Sequence, residues 1–206
     1  MSEMTNLFIN PQSLGMRFDR EAPRRIHIIG TSGTGKTTLA RQIGSELEAG
    51  VHDLDAIGYA GAYEGQAGTR RPLDLRLADV HLIATQPSWV SEGMFLWWID
   101  ELLVAADLIV WLDLHWRLAG WRIVKRHVRR SLARNNTHPG LRNLAEFVWE
   151  GRADYHNIVP GVPKAPDDDS AITRAGTLVE LTRFSNKTVR CTSQRDVGAL
   201  LDALKT

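Results

Sequence analysis

Cysteine is almost absent from the sequence, since Cys191 is the only one. A single cysteine cannot form an intrachain disulfide. This excludes a disulfide-stabilised secreted scaffold and fits the reducing conditions of the cytosol. Neither CxxC nor HExxH occurs, and no two of the seven histidines have the four-residue spacing of helical metal ligands. The sequence therefore predicts no zinc site.

Long hydrophobic runs are also missing. The longest, from Leu102 to Leu112, is interrupted by Asp107 and is far shorter than the roughly 20 residues of a membrane-spanning helix. The first ten residues carry Glu3 and lack the basic start and apolar stretch of a signal peptide. These absences predict a soluble cytoplasmic protein with no membrane partner.

The chain has no large excess of either charge: 25 Lys and Arg residues face 24 Asp and Glu residues, a formal net charge of +1. This excludes a protein that is basic over its whole surface. The length of 206 residues and the 43% hydrophobic content fit one globular domain. We expect an N-terminal extension over residues 1–24, which is either a loose arm or a short packed segment, and a single domain over residues 25–206.

Short apolar runs alternate with segments of helical periodicity along most of the chain. The first run ends at Gly30, and apolar residues then recur every four positions at 39, 43 and 47, as on one face of a helix. The strand-like runs are 26–29, 51–54, 89–91, 108–112, 178–181 and 188–191. This order predicts a three-layer α/β fold with a five-stranded, mainly parallel sheet and helices on both faces.

Residues 30–37 read GTSGTGKT, the G-x-x-x-x-G-K-T pattern of a phosphate-binding P-loop. Its glycines let backbone N–H groups surround phosphate oxygens, and the helix that follows directs its free N–H groups at them. Lys36 is predicted to reach the β- and γ-phosphates, and the Thr37 hydroxyl to bind Mg²⁺. The sequence thus predicts ATP and Mg²⁺ as cofactors. The predicted nucleotide-binding residues are Gly30, Thr31, Ser32, Gly33, Thr34, Gly35, Lys36, Thr37 and Thr38.

Four segments together resemble the adenylate-kinase-like P-loop kinases, in particular the bacterial group called DNA topology modulation protein. They are GTSGTGKTT at 30–38, WVSEG at 89–93, ADLIVWLD at 106–113 and the arginine-rich helix after it. The resemblance covers roughly residues 25–160. Only the P-loop is highly specific, while the other segments match by order and spacing. It implies a P-loop NTPase fold in which the arginine-rich segment, about 115–142, is a lid over the nucleotide.

Two carboxylates are candidates for the second Mg²⁺ ligand. A P-loop enzyme needs an acid at the end of a neighbouring strand. In nucleoside-monophosphate kinases this acid is an Asp followed by Gly, and Glu92-Gly93 occupies the similar position here. Asp113, which ends the apolar run 108–112, is the second candidate, and its alternative role is a helix cap or loop residue. Glu92 is favoured.

The acceptor side is predicted around Asp53 and Asp55, which follow the second strand. A carboxylate there can hydrogen-bond or deprotonate an acceptor hydroxyl, and the resemblance points to Asp55 and to Glu92-Gly93 as neighbours of the acceptor. Arg70 and Arg71 could clamp a phosphate ester bidentately. The alternatives are turn or helix-capping residues for the aspartates and a solvated pair for the arginines.

The segment from 114 to 145 holds eight basic residues and no acid, so the rest of the chain has 17 basic and 24 acidic residues. An acidic body therefore carries a basic lid. Arginines near a transferring phosphoryl group stabilise its negative charge, and we predict this role for Arg126 and Arg122, then Arg130. The alternative is a solvated helix face. The tryptophans at 116, 121 and 149 fall on the apolar face, which favours core packing over contact with nucleic acid.

These features predict an enzyme that moves the γ-phosphoryl group of ATP to a small acceptor. The resemblance favours a nucleoside monophosphate as the acceptor. The alternatives are a small-molecule kinase of the shikimate or gluconate type and an NTP-hydrolysing regulatory or nucleic-acid-associated module. Lys36, Arg126, Arg122, Arg130 and Asp55 are the predicted catalytic residues. The sequence does not fix the oligomeric state.

Overall fold

The computed structural model describes residues 7–14, 22–60, 68–132 and 141–205. The strands are β1 Arg25–Gly30, β2 Gly50–Asp53, β3 Tyr59–Ala60, β4 Thr69–Arg70, β5 Trp89–Gly93, β6 Leu108–Leu112 and β7 Thr188–Cys191. The helices are α1 Lys36–Glu46, α2 Leu54–Gly58, α3 Leu73–Ala84, α4 Asp100–Ala105, α5 Trp116–Leu132, α6 Leu141–His156, α7 Arg174–Thr182 and α8 Gln194–Leu204. Short 3₁₀ turns lie at Pro11–Ser13, Asp169–Ala171 and Ser185–Lys187.

Five strands form one sheet in the order β2-β5-β1-β6-β7, and every pairing in it is parallel. Strand β1 lies at the centre, between β5 and β6. The carboxyl ends of all five strands therefore meet at one edge, where Gly30 pairs with Leu112 and Glu92 pairs with Asp53. The remaining strands, β3 and β4, form a separate antiparallel hairpin that the sequence pattern did not predict.

Alternate residues of the central strands pack into two separate hydrophobic clusters. On β6, Ile109 and Trp111 join one cluster with α3, α4 and α7, while Leu108, Val110 and Leu112 join the other with α1 and α8. Period-2 alternation of an entirely apolar strand requires helices on both faces. The prediction of a three-layer α/β fold with a five-stranded parallel sheet is confirmed.

The strand predicted at 178–181 is wrong, because these residues belong to helix α7. The Thr173 side chain caps its start by accepting a hydrogen bond from the Gly176 N–H at 3.0 Å. Thr177 and Leu181 are both buried, which is the i, i+4 spacing of a helix face. A four-residue apolar run does not distinguish a strand from a buried helical turn.

The segment 7–14 packs against the β7 edge of the sheet. Ile9 forms a parallel bridge with Val189, and its N–H donates to the Thr188 carbonyl at 2.9 Å. The Phe8 ring lies edge-on to Trp111, with 5.8 Å between ring centroids. Of the two possibilities for the extension, these described residues show the packed one.

Within the described ranges, no helix combines the length and the apolar character that a membrane crossing requires. In the same part of the chain, no cluster of three or more His, Cys, Asp or Glu side chains is arranged to hold a metal ion. A Mg²⁺ bound mainly by phosphate oxygens, a hydroxyl and waters needs no such cluster.

Candidate active site

The P-loop connects the end of β1 to the start of α1 at the carboxyl edge of the sheet. Its glycines Gly33 and Gly35 have φ angles of 81° and 100°, a left-handed conformation that L side chains rarely adopt. A Cβ atom at Gly33 would lie 2.6 Å from the Ala119 carbonyl oxygen. The hydroxyl of Thr34 donates to the Thr31 carbonyl at 2.7 Å. The loop is thus a compact turn that leads directly into the N-terminus of α1.

A cavity of about 730 Å³ opens above this loop, and we call it the P-loop cavity. Helix α1, helix α5 of the segment predicted as a lid, and the N-terminal half of α8 form its walls. Its described lining is Ser32, Gly33, Thr34, Gly35, Lys36, Thr37, Thr38, Leu39, Gln42, Asp55, Glu92, Leu112, Arg122, Arg126, Gln194, Val197, Gly198 and Leu201. The volume is that of a site for a nucleotide-sized ligand, and seven of the nine predicted nucleotide-binding residues line it.

Thr37 and Glu92 lie in direct contact at the floor of this cavity. The Thr37 hydroxyl donates to Oε1 of Glu92 at 2.5 Å, and the Glu92 side chain is only 3% exposed. Burial raises the pKa of Glu92, while the Thr37 hydrogen bond and the Lys36 ammonium oppose that rise. A hydroxyl and a carboxylate are the oxygen ligands that Mg²⁺ accepts. The donor set therefore fits the predicted Mg²⁺ role of both residues.

Asp113, the second candidate for Mg²⁺, is already held by two arginines. Arg174 donates through Nε at 2.6 Å and Nη2 at 2.9 Å, and Arg190 donates through Nε at 2.9 Å and Nη2 at 2.5 Å. Both carboxylate oxygens accept these bonds in a buried position. This geometry gives Asp113 a structural role between β6, α7 and β7, and it favours Glu92 as the Mg²⁺ carboxylate.

Replacing Asp113 with alanine should lower the free energy of unfolding by about 3 kcal/mol, because two arginines lose their carboxylate. The Mg²⁺ concentration for half-maximal ADP formation should stay the same. Urea denaturation and a Mg²⁺ titration measure the two quantities. Asp202→Ala, in an exposed pair with Lys205, is the control and should change stability little. A raised Mg²⁺ requirement with wild-type stability would restore Asp113 as a metal ligand.

The ammonium group of Lys36 interacts with several charged side chains of the predicted site. Burial lowers the pKa of its ammonium group, the negative charges of Glu92, Asp55 and Asp53 raise it, and the positive charge of Arg126 lowers it. Its Nζ atom lies 3.4 Å from the Thr31 carbonyl oxygen. Three acids and one lid arginine, all predicted as site residues from the sequence, therefore surround the P-loop lysine.

Asp55 lines the P-loop cavity at the first turn of helix α2. Burial raises the pKa of its carboxyl group, the negative charges of Asp53 and Asp169 raise it further, and Lys36 lowers it. Asp53 accepts a hydrogen bond from the Asp55 N–H at 2.9 Å and so caps α2. A Cβ atom on Gly93 would lie 2.9 Å from Cβ of Leu54, so glycine allows α2 to approach the end of β5.

The lid arginines differ in what they contact. Arg122 donates through Nη1 to the Thr34 carbonyl at 2.8 Å and through Nη2 to Oε1 of Gln194 at 2.9 Å, so it ties α5 to the P-loop and to α8. Arg126 lines the same cavity one turn later. The Arg130 side chain lies outside the described part of the structure, as do residues 133–140 of the predicted lid.

The expectation that the lid tryptophans pack into the core is wrong for two of them. Trp121 is 59% exposed and Trp149 is 65% exposed, and a cation lies over each ring: Lys125 Nζ at 4.9 Å from the Trp121 centroid and the Arg152 guanidinium at 5.0 Å from the Trp149 centroid. The long aliphatic stems of basic residues cover apolar rings at the surface. Basic side chains of the same helix therefore cover these tryptophan rings, and the rings need not pack into the core.

Arg70 and Arg71, the predicted clamp for an acceptor phosphate, each have a carboxylate partner within the chain. Arg70 Nη2 lies 2.7 Å from Oδ2 of Asp169, and Arg71 Nη1 lies 2.7 Å from Oδ2 of Asp79. Neither arginine lines the P-loop cavity. Their role in acceptor binding stays a prediction. An acceptor phosphate would have to compete with Asp169 and Asp79 for these guanidinium groups.

Four residues near the site were not predicted from the sequence: Arg76, Asp167, Asp169 and Gln194. The segment 160–173, which we call the strap, brings Asp167 and Asp169 to the arginines of the acceptor side, and Arg76 pairs with Asp167. Gln194 binds Arg122 at the start of α8. The run of three aspartates at 167–169 was the available signal for the strap, and the Ser193-x-x-Asp capping box was the signal for the start of α8.

A second, smaller cavity of about 370 Å³ lies beside the P-loop, between α5, α6 and the strap. We call it the aromatic cavity. The residues described along it are Thr31, Ser32, Met94, Trp116, Ala119, Gly120, Ile123, Val148, Gly151, Tyr155, Ser170 and Ile172. Ser32 lines both cavities. The two cavities are therefore adjacent at the P-loop.

Comparison with known proteins identifies similar folds. The chain is similar to a gluconokinase from Sinorhizobium meliloti 1021, with 18% identity, a TM-score of 0.51 and coverage of 90% of this chain and 93% of that one. It is also similar to a shikimate kinase from Acinetobacter baumannii in complex with shikimate, with 15% identity, a TM-score of 0.50 and coverage of 91% and 93%. No protein-family model and no curated protein matches the sequence. At these identities the similarity shows a shared P-loop kinase fold.

Proposed function

We propose that the protein is an ATP- and Mg²⁺-dependent phosphotransferase that phosphorylates a hydroxyl group of a small non-nucleotide acceptor. The contact between Thr37 and Glu92 beneath a P-loop, with Lys36 and Asp55 beside it, carries the proposal. It supplies a phosphate cradle, an Mg²⁺ ligand pair and a carboxylate for the acceptor in one place. The presence of two adjacent cavities that share Ser32 as a lining residue supports a reaction between two bound molecules rather than simple hydrolysis.

The choice of acceptor class departs from the expectation of a nucleoside monophosphate. The similar folds reported above belong to proteins named for gluconate and shikimate, which favours the small-molecule alternative. The arginines predicted to clamp an acceptor phosphate are also paired with aspartates of this chain. Both observations support an acceptor that is not a nucleotide.

Each residue has a role in the proposed reaction. The loop N–H groups and Lys36 bind the phosphates of ATP, and Arg126 balances negative charge that develops on the γ-phosphoryl oxygens. Mg²⁺, held by Thr37 and Glu92, would neutralise phosphate charge. The acceptor hydroxyl gives its proton to the Asp55 carboxylate while its oxygen bonds to the γ-phosphorus. The bond from that phosphorus to the bridging oxygen breaks, and ADP and the phosphorylated acceptor leave.

An acceptor screen with ADP formation as readout tests this proposal. With ATP and Mg²⁺ present, at least one of a set of polyols, sugar acids, nucleosides and nucleoside monophosphates should raise ADP formation tenfold or more above the acceptor-free rate. Mass spectrometry should show one added phosphoryl group on that acceptor. Preference for a nucleoside monophosphate would return the function to the adenylate-kinase-like class.

The alternative of a nucleic-acid-associated NTPase has one observation in its favour, the two exposed lid tryptophans with cations over their rings. Aromatic and basic side chains together are the features of single-strand binding surfaces. The same assay with single-stranded DNA separates the two functions. ADP formation that DNA stimulates and no small acceptor stimulates would contradict the kinase proposal.

A further inference from the structure

Two arginines near the acceptor side, Arg70 and Arg76, form ion pairs with aspartates of the strap. Arg76 is only 1% exposed, and its Nη2 donates to Oδ2 of Asp167. Arg70 lies 2.7 Å from Oδ2 of Asp169 and 3.7 Å from Oδ2 of Asp167. Two aspartates thus face two arginines, and no net positive charge is left in this group to attract an anionic acceptor.

The position of Asp169 is fixed by groups from two other elements. The Trp98 indole donates to its Oδ1 at 3.2 Å, and the Tyr59 hydroxyl lies 3.4 Å from its Oδ2. The negative charge of Asp169 also raises the pKa of Asp55, so the two carboxylates are near enough to interact. An acceptor carboxylate or phosphate brought to Asp55 would be repelled by both, because like charges at short range disfavour binding.

The aromatic cavity borders the strap at Ser170 and Ile172, and its lining is of a different kind. None of the described residues along it carries a charge. Trp116 and Tyr155 supply aromatic surface, while Thr31 and Ser32 connect it to the P-loop. Its volume of about 370 Å³ is that of a small-molecule site lined by apolar groups with a few polar ones.

Two arginines lie close to this lining. The Arg174 guanidinium is 4.6 Å from the Tyr155 ring centroid and donates to the Asp113 carboxylate. The other is Arg152. Its guanidinium lies 5.4 Å from the Trp116 ring centroid and 5.0 Å from the Trp149 centroid. The side chain is exposed and is not part of the described lining. It covers the rings at the surface of the lid and leaves the cavity itself uncharged.

From these observations we propose that the acceptor is a small hydroxylated molecule with apolar or aromatic surface and no negative charge, and that Asp167 and Asp169 are the residues that exclude anionic acceptors. This inference rests on the proposed kinase function and deepens it. It separates this protein from the kinases of similar fold that are named for gluconate and shikimate.

Acceptor pairs in which one member carries an anionic group and the other is uncharged test the proposal. Suitable pairs are adenosine and AMP, the methyl ester of shikimate and shikimate, and glucitol and gluconate. With the full chain, ATP and Mg²⁺, the uncharged member should have a kcat/KM at least tenfold higher wherever a pair is phosphorylated. Transfer to no member of any pair would contradict the kinase function itself. Preference for the anionic members would overturn this inference alone.

Strap variants show whether the aspartates cause the selectivity. Asp169→Asn, which keeps the Asp167 partner of buried Arg76, should raise kcat/KM for the anionic member about tenfold. Adding Asp167→Asn should raise it further, and thermal unfolding confirms that each variant is folded. Asp168→Asn is the matched control, since its carboxylate bonds within the strap to Lys164 and Ser170. Equal selectivity of Asp169→Asn and Asp168→Asn would overturn the proposed role.

Discussion

Replacing Arg126 with alanine should lower kcat about 10³-fold while the KM for ATP changes only a few-fold, because arginines near a transferring phosphoryl group act mainly on the transition state. The structure supports this role through two facts. Arg126 lines the P-loop cavity, and its charge acts on the P-loop lysine.

Arg129→Ala is the matched control for Arg126. It removes the same charge from the same helix three residues later, where the exposed side chain is not part of the described cavity lining. Steady-state kinetics with the best acceptor should give near wild-type values for this control. A loss of stability in Arg126→Ala with unchanged kcat would mean that Arg126 only supports the helix.

Arg122 illustrates why the two lid arginines should behave differently. Its guanidinium donates to the Thr34 carbonyl and to Gln194, so it links the P-loop to α8. The sequence placed Arg122 and Arg126 on one face of a helix but could not rank them. Ranking required the position of α8, whose contact with α5 is formed between residues 72 positions apart.

The parts of the site predicted from sequence are those that local rules determine. The P-loop needs glycines at fixed spacing between a strand and a helix, so GTSGTGKT specifies its own geometry. Glu92 was favoured as the Mg²⁺ acid through the resemblance to nucleoside-monophosphate kinases, in which the strand beside the P-loop strand ends in an acid followed by Gly, and β5 does pair with β1. The Thr37–Glu92 contact agrees with this prediction.

The parts that were missed depend on distant contacts. The strap reaches Arg76 across 91 positions of sequence, and no periodicity in a Pro- and Asp-rich segment encodes such a partner. From sequence alone, Asp113 resembles a metal ligand at the end of a strand. Its ion pairs with Arg174 and Arg190 become visible only in the folded structure. The exposure of Trp121 and Trp149 was missed for the same reason. Whether an apolar helix face is buried depends on which other elements pack against it, and the sequence of the helix does not contain that information.

The near-neutral net charge of the chain is an average over regions of opposite charge. Among the described residues, Arg122 and Arg126 of the basic segment line the P-loop cavity together with Asp55 and Glu92. A polyanionic donor would be attracted to the two arginines and Lys36, while the acids lie where the acceptor hydroxyl would react. The average of +1 thus hides a local excess of basic residues in the segment 114–145 and an excess of acidic residues in the rest of the chain.

Asp55→Asn should lower kcat by roughly 10²- to 10⁴-fold, the range expected for loss of a general base. The amide keeps the size of the side chain but cannot accept the proton of the acceptor hydroxyl. Asp74→Asn, an exposed carboxylate in the first turn of α3, is the control and should keep wild-type kinetics. Wild-type turnover in Asp55→Asn would contradict the assignment.

The pH profile distinguishes proton acceptance by Asp55 from simple positioning. Burial and the charges of Asp53 and Asp169 raise the pKa of its carboxyl group, and only the ionised form can act as a base. The rate should therefore fall as the pH drops through a value above the ordinary range for aspartate, and Asp55→Asn should lack this limb. Asp53→Asn removes one of the charges that raise the pKa of Asp55, so the acid limb should move to lower pH. A limb that does not move would show that another group controls the profile.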